Sequence, residues 1–218
     1  MKSITPLKLQ LPQLPKSLTP ATLETISTPA DHVALSVAGS DCSTQQASNV
    51  LFEQCRLQSV NFTRTQFANV RVVDTQFTTT DLAGAIWKNA RLRRVEFVEC
   101  KLLGAQLLGA QFEHVLLRDC KLEGAVLAAT KCKIVRFERC DLRGVSFEEA
   151  DLTGVAFHQC DLSGADLRGS KLSGADLRGS ILNRAQVGAK ELHGAIIDPT
   201  QAQPVVSLLG LTIKELDA

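Results

Sequence analysis

Thiols and imidazoles are the groups in this chain best suited to bond-making chemistry. Four of its seven cysteines, Cys100, Cys120, Cys140 and Cys160, recur every twenty residues. A line of thiols at a fixed interval is what a redox relay or a soft-metal ladder would need, because the thiolate is both nucleophile and ligand. Nothing else in the sequence completes such a site. There is no CxxC pair and no paired-histidine spacing, and His32, His114, His158 and His193 lie far apart with no nucleophile beside them. The favoured reading makes the four thiols small apolar fillers stacked on one side of a coil, since free cysteine packs as a small hydrophobe. The odd cysteine count fits reduced thiols. No catalytic residue, no metal site and no cofactor is assigned, and an enzyme is not expected.

The elements that must position these residues follow from a period of five. Starting from Leu162 and stepping by five, a large apolar residue or a close substitute is met at every position from Phe52 to Ile197, thirty in all. Two places before each of these markers stands a small residue such as Ala, Val, Cys, Thr or Ser, and Lys190 alone breaks that column. A period of five matches neither the 3.6 of a helix nor the 2 of a strand. It fits a chain that turns a corner every five residues, so that four sides close a square coil of twenty and successive coils pair as parallel ladders. Eleven of the 14 glycines fall two places after a marker, where they can supply the positive φ of a type II turn. Weaker units centred on Val37, Cys42 and Ala47 extend the pattern toward the N-terminus.

The segment ADLRG at 165–169 and again at 175–179 matches the A(D/N)Lxx motif outright, and the chain resembles the pentapeptide-repeat family over residues 50–199. The resemblance implies an all-β solenoid, a right-handed quadrilateral β-helix of about seven to eight coils, with a short C-terminal helical cap. Three regions are expected: a proline-rich N-terminal arm or cap at 1–34, the β-helix at 35–199, and a capping or dimerisation segment at 200–218. The alternation in LKLQLPQLP hints at one edge strand in the arm. No stretch approaches the roughly 18 apolar residues of a membrane span, and prolines interrupt the N-terminal residues where a signal peptide would be continuously apolar. A cytoplasmic protein with no membrane partner is expected.

Surface chemistry is then the place to look for function. The formal net charge is +1, yet residues 50–140 hold 14 Lys/Arg against nine Asp/Glu, and residues 141–199 hold six against nine. By the twenty-residue rule Arg71, Arg91, Arg93, Arg94, His114, Lys131 and Lys133 share one side as a basic stripe. Aromatic residues sit at inward markers, so no stacking platform accompanies that stripe and nucleic acid is a disfavoured partner. Ile86, Leu103, Leu108, Leu116 and Val126 fall at outward sites, where a protein partner could cover them.

The C-terminal residues Leu208, Leu209, Gly210 and Leu211, with Ile213 following, resemble the tail of the quinolone-resistance, gyrase-interacting members of the family. That resemblance implies a homodimer through Val205, Leu208, Leu209, Leu211 and Ile213, and a DNA-mimicking surface that binds a type II topoisomerase, DNA gyrase or topoisomerase IV. The carboxylates it nominates are Asp141, Glu148, Glu149, Asp151, Asp161, Asp166 and Asp176. The alternatives are a monomer whose tail only caps the rod, and a scaffolding module with no topoisomerase role.

Overall fold

Strand pairing advances by twenty residues per step, all of it parallel. The computed structural model describes residues 8–214. Its four longest strands, Arg71–Thr78, Arg91–Val98, Gln111–Arg118 and Lys131–Glu138, stack in register, with Arg71 opposite Arg91 and Gln111 opposite both Arg91 and Lys131. The remaining sides are shorter and meet through single bridges at the same interval, among them Asp81 with Lys101 and Ser146 with Asp166. The result is a parallel β-solenoid of about seven turns with one short C-terminal helix. Within the stack each coil's backbone bonds to the coil above and the coil below.

The core is the column of markers. Each one from Phe52 to Leu182 is buried, and Phe52, Phe62, Phe67, Phe77, Trp87, Phe137, Phe147 and Phe157 are the largest fully buried side chains. Aromatics one coil apart stack, Phe77 on Phe97 at 4.7 Å and Phe137 on Phe157 at 5.1 Å between ring centroids. Trp87 needs a partner for its indole N–H, and donates it to Thr65 Oγ1 at 3.1 Å. All eleven glycines placed two after a marker have positive φ, as the turn argument requires. The corner bends this way without glycine too: Asn49, Asn69, Asn89, Asp119 and even Ile134 have φ between 54° and 57° at the same place in the repeat.

Both ends depart from the simple pattern. The solenoid begins earlier than residue 35, for Ala30–Val33 pairs with Val50–Glu53, and Thr19–Ala21 pairs with Leu35–Val37 at a shorter step of sixteen. Leu23 and Ile26 are buried over the first coil. Residues 8–15 form no strand; they lie outside the solenoid, along its flank. At the other end the column break at Lys190 coincides with a side that leaves the ladder, where the Leu192 N–H turns back to the Gly188 carbonyl at 3.2 Å. A 3-10 turn at Pro199–Gln201 and the helix α1, Ala202–Leu208, follow. No helix is long and apolar enough to cross a membrane among the described residues.

Candidate functional site

The cysteine column is stacked, free and buried, as expected of small fillers, and its thiols are also hydrogen-bonded to the backbone. At glycine corners the turn closes on itself, as when the Ala85 N–H donates to the Leu82 carbonyl at 3.0 Å. The corners that close on Cys100, Cys120, Cys140 and Cys160 are bends, and there a side chain takes over. Cys100 Sγ donates to the carbonyls of Phe77 and Val98, Cys120 to those of Phe97 and Arg118, and Cys140 to those of Leu117 and Glu138. Thr80 and Ser180 continue the column with hydroxyls, bonded to the Leu57 carbonyl at 3.2 Å and the Phe157 carbonyl at 2.9 Å. Burial pushes the Cys42 thiol up to about 11 and that of Cys132 up to about 12. Such thiols are held protonated and are poor nucleophiles. All seven cysteines are free and buried. Among the described residues no three His, Cys, Asp or Glu side chains are placed to hold a metal ion.

The seven nominated carboxylates do not gather on one side. Asp141 and Asp161 lie one above the other, whereas Asp151 stacks with Lys171, Asp166 with Ser146 and Asp176 with Ala156. Residues one before and one after a marker point outward together, so each D-L-R triplet closes its own ion pair. Arg143 reaches Asp141 at 2.7 Å, Arg168 reaches Asp166 at 2.6 Å, and Arg178 reaches Asp176 at 2.6 Å. Lys171 lies 3.6 Å from Asp151. The Arg178 guanidinium holds the Asp176 carboxyl down to about 2, and Arg143 and Arg168 likewise lower Asp141 and Asp166. Glu148 and Glu149 are exposed and have no cation within ion-pair reach among the described residues, nor does Asp161, which accepts the Ser163 N–H.

The basic stripe is divided in the same way. Asp74 takes Arg94, and Glu113 takes Lys133 at 2.6 Å. Arg71, Arg91, Arg93 and Lys131 are exposed with no carboxylate in reach among the described residues. Of the outward apolar residues, Leu103 and Leu108 are exposed, Ile86 and Val126 are half-buried, and Leu116 is buried at 4 % exposure, contrary to its outward place in the repeat.

The C-terminal pole has a capped inner layer and an open apolar rim. Asp198 caps the 3-10 turn by accepting the Thr200 N–H. Gln201 is buried and donates its Nε2 to the carbonyls of Leu177 at 2.8 Å and Ser180 at 2.6 Å, closing the last coil. Val205 and Leu208 pack partly buried against the core, and Leu209 is half-buried. Leu211 and Ile213 are about 60 % exposed, and Ile181 and Ile196 are exposed on the same end of the rod. Gln201 carried no signal in the repeat pattern, because it lies beyond the last marker. The concavities along the rod are open and shallow, with Ser163, Asn183, Arg184, Gln203 and Ser207 lining one beside α1.

Family models place these observations. The model for the pentapeptide repeat region matches residues 90–167, and the model for pentapeptide repeats in eight copies matches residues 48–82 and 160–187, together more than half of the chain. No curated protein sequence matches the chain. Among solved structures the chain is similar to trypsin-treated QnrB1, a plasmid-mediated fluoroquinolone resistance protein, at 22 % identity over 84 % of this chain and 99 % of that one, with a TM-score of 0.40. It is similar also to HetL from the cyanobacterium Nostoc, a protein involved in heterocyst differentiation regulation, at 19 % identity over 75 % and 85 % of the two chains, with a TM-score of 0.37. With the twenty-residue ladder, the marker core and both family models in agreement, the chain belongs to the pentapeptide-repeat family.

Proposed function

We propose that the chain works as a non-catalytic rod that presents a surface to a protein partner, and that the partner is a type II topoisomerase, DNA gyrase or topoisomerase IV, which it modulates or shields from inhibitors. The observation that carries this reading is the placement of the acidic excess. Residues 141–199 hold the surplus of carboxylates, and they adjoin the pole where Leu211, Ile213, Ile181 and Ile196 stay exposed. Two chains meeting through that pole would bury the apolar rim and set two acidic halves side by side at the centre of a longer rod. Glu148, Glu149 and Asp161, which have no ion-pair partner among the described residues, are the nominated carboxylates best placed to meet a DNA-binding surface. Asp141, Asp151, Asp166 and Asp176 present both signs of charge with their Arg and Lys neighbours.

That internal pairing favours a second reading, a scaffolding module that engages a partner through Leu103 and Leu108 with no resemblance to DNA. A gyrase supercoiling assay with and without a fluoroquinolone separates the two. The topoisomerase reading predicts inhibition or protection at micromolar protein, and neither effect leaves the scaffold.

A further inference from the structure

Over much of the rod a cation stands one coil away from an acid. Arg94 lies over Asp74, Lys133 over Glu113, Arg139 over Asp119 and Lys171 over Asp151. Arg71 and Arg91 break that rule. They are register partners on successive coils, and their column continues with Leu51 on one side and Gln111 on the other. Lys101 and Lys121 are stacked too, but Asp81 and Asp141 flank them in their column. Both arginines are exposed, and neither has a carboxylate in reach among the described residues. Like charges facing each other on neighbouring strands destabilise a sheet, so this pair is a cost that an anion would relieve.

The two arginines line a shallow cleft of about 320 Å³ whose other walls are Val70 and a column of amides, Asn49, Asn69 and Asn89, with no acidic side chain among them. Asn69 donates its Nδ2 to Asn49 Oδ1 at 3.3 Å. The amide column ends at Gly109, where an added Cβ would stand 2.6 Å from Asn89 Oδ1. That glycine makes room for the carbonyl oxygen of Asn89, so the amide nitrogen is turned the other way, and it bonds to no protein group among the described residues. The cleft therefore offers two guanidinium forks and an uncommitted amide donor. Adjacent coils are about 4.8 Å apart, a span that an oxyanion bridges with hydrogen bonds of about 2.9 Å to each side. Two fixed positive charges are matched by two negative ones. A carboxylate or a phosphodiester carries one, whereas a phosphate monoester carries about −1.5 to −2 at neutral pH.

We propose that this cleft binds a phosphate dianion, free or as the terminal monoester of a small molecule, with Arg71 and Arg91 as its clamps and Asn89 as its amide donor. The site lies in the basic half of the rod, and the proposal stands whether or not the acidic half meets a topoisomerase.

Calorimetry on the full chain at constant ionic strength tests it with inorganic phosphate, methyl phosphate and dimethyl phosphate. The first two are expected to bind saturably and about tenfold or more tighter than the diester, which carries a single charge. Tighter binding of inorganic phosphate than of methyl phosphate identifies the free ion as the ligand, and equal or weaker binding a monoester. Arg71→Ala and Arg91→Ala should each weaken binding about tenfold or more, since each removes charged hydrogen bonds. Asn89→Gly, which keeps the left-handed corner at φ 56°, should weaken it by a few-fold, and Arg93→Ala, outside the cleft, should change nothing. Phosphate should raise the Tm of the unmodified chain, and Arg91→Ala should abolish that rise while leaving the ligand-free Tm unchanged or higher, because it removes the like-charge stack. Absence of saturable binding by inorganic and methyl phosphate overturns the proposal. So does equal binding of dimethyl phosphate, or binding indifferent to Arg71→Ala and Arg91→Ala, which would mark an adventitious ion only.

Discussion

Thiols at 100, 120 and 140 and hydroxyls at 80 and 180 are exchangeable parts of one column, because each donates to the carbonyl 23 residues before it, on the coil below. Cys120→Ser is therefore expected to be close to neutral. Cys120→Ala should cost about 1–3 kcal/mol, for the lost thiol hydrogen bonds plus a small void, read as a lowered midpoint in urea. Native protein should leave all seven thiols unreactive toward a thiol reagent, with full titration only on unfolding. The carboxylates set the acid limit. Asp176 has a folded pKa depressed to about 2 by Arg178, so its contribution is complete above the unfolded value near 4 and is lost as pH falls toward 2. Carboxyl-carbon NMR should show Asp176 titrating near 2, and Arg178→Ala should move it up toward the ordinary aspartate range. The sequence spacing located the cysteine column but not its bonding, since a period reports where a side chain points and not which carbonyls it reaches.

At the scale of elements, the corner and the cap decide stability. Ile134 is a β-branched residue at φ 57°, a conformation that Asn tolerates far better. Ile134→Asn is expected to raise stability by about 0.5–1 kcal/mol, seen as a higher Tm. Gln201→Ala removes two donors from buried carbonyls at the end of the last coil and should cost about 1–3 kcal/mol. Glycine corners were legible from the motif, whereas the many corners without glycine were not: Asn49, Asn69 and Asn89 hint at left-handed backbone, but Ile134 is bent by the ladders on either side of it. The cap residue Gln201 and the carboxylate Asp74 escaped the repeat analysis, and His114 was legible there only as a member of the basic stripe: each acts through a contact of one side chain with a distant backbone, Gln201 with Leu177 and Ser180, Asp74 with Gln13 and His114 with Gln10.

For the whole molecule, the rod was nearly complete in the sequence, because one five-residue rule repeated thirty times fixes side, corner and register together. Its start at Thr19 was not, since the first step is sixteen residues and carries no full marker series. Charge was legible as a total for each half but not as a pattern of pairs, because the D-L-R triplet that builds the coil also neutralises its own aspartate. Dimerisation belongs to this scale as well. Light scattering should give twice the chain mass, and Leu211→Asp with Ile213→Asp should return it to that of one chain with the fold intact. The central claim, that the acidic half docks a type II topoisomerase, is tested most directly by titrating purified gyrase with the protein at low and high salt, beside the variant Glu148→Lys, Glu149→Lys, Asp161→Lys. The account predicts saturable binding that weakens steeply with salt and is lost in the variant. Absence of binding at low salt, or binding indifferent to both salt and the three substitutions, would contradict it.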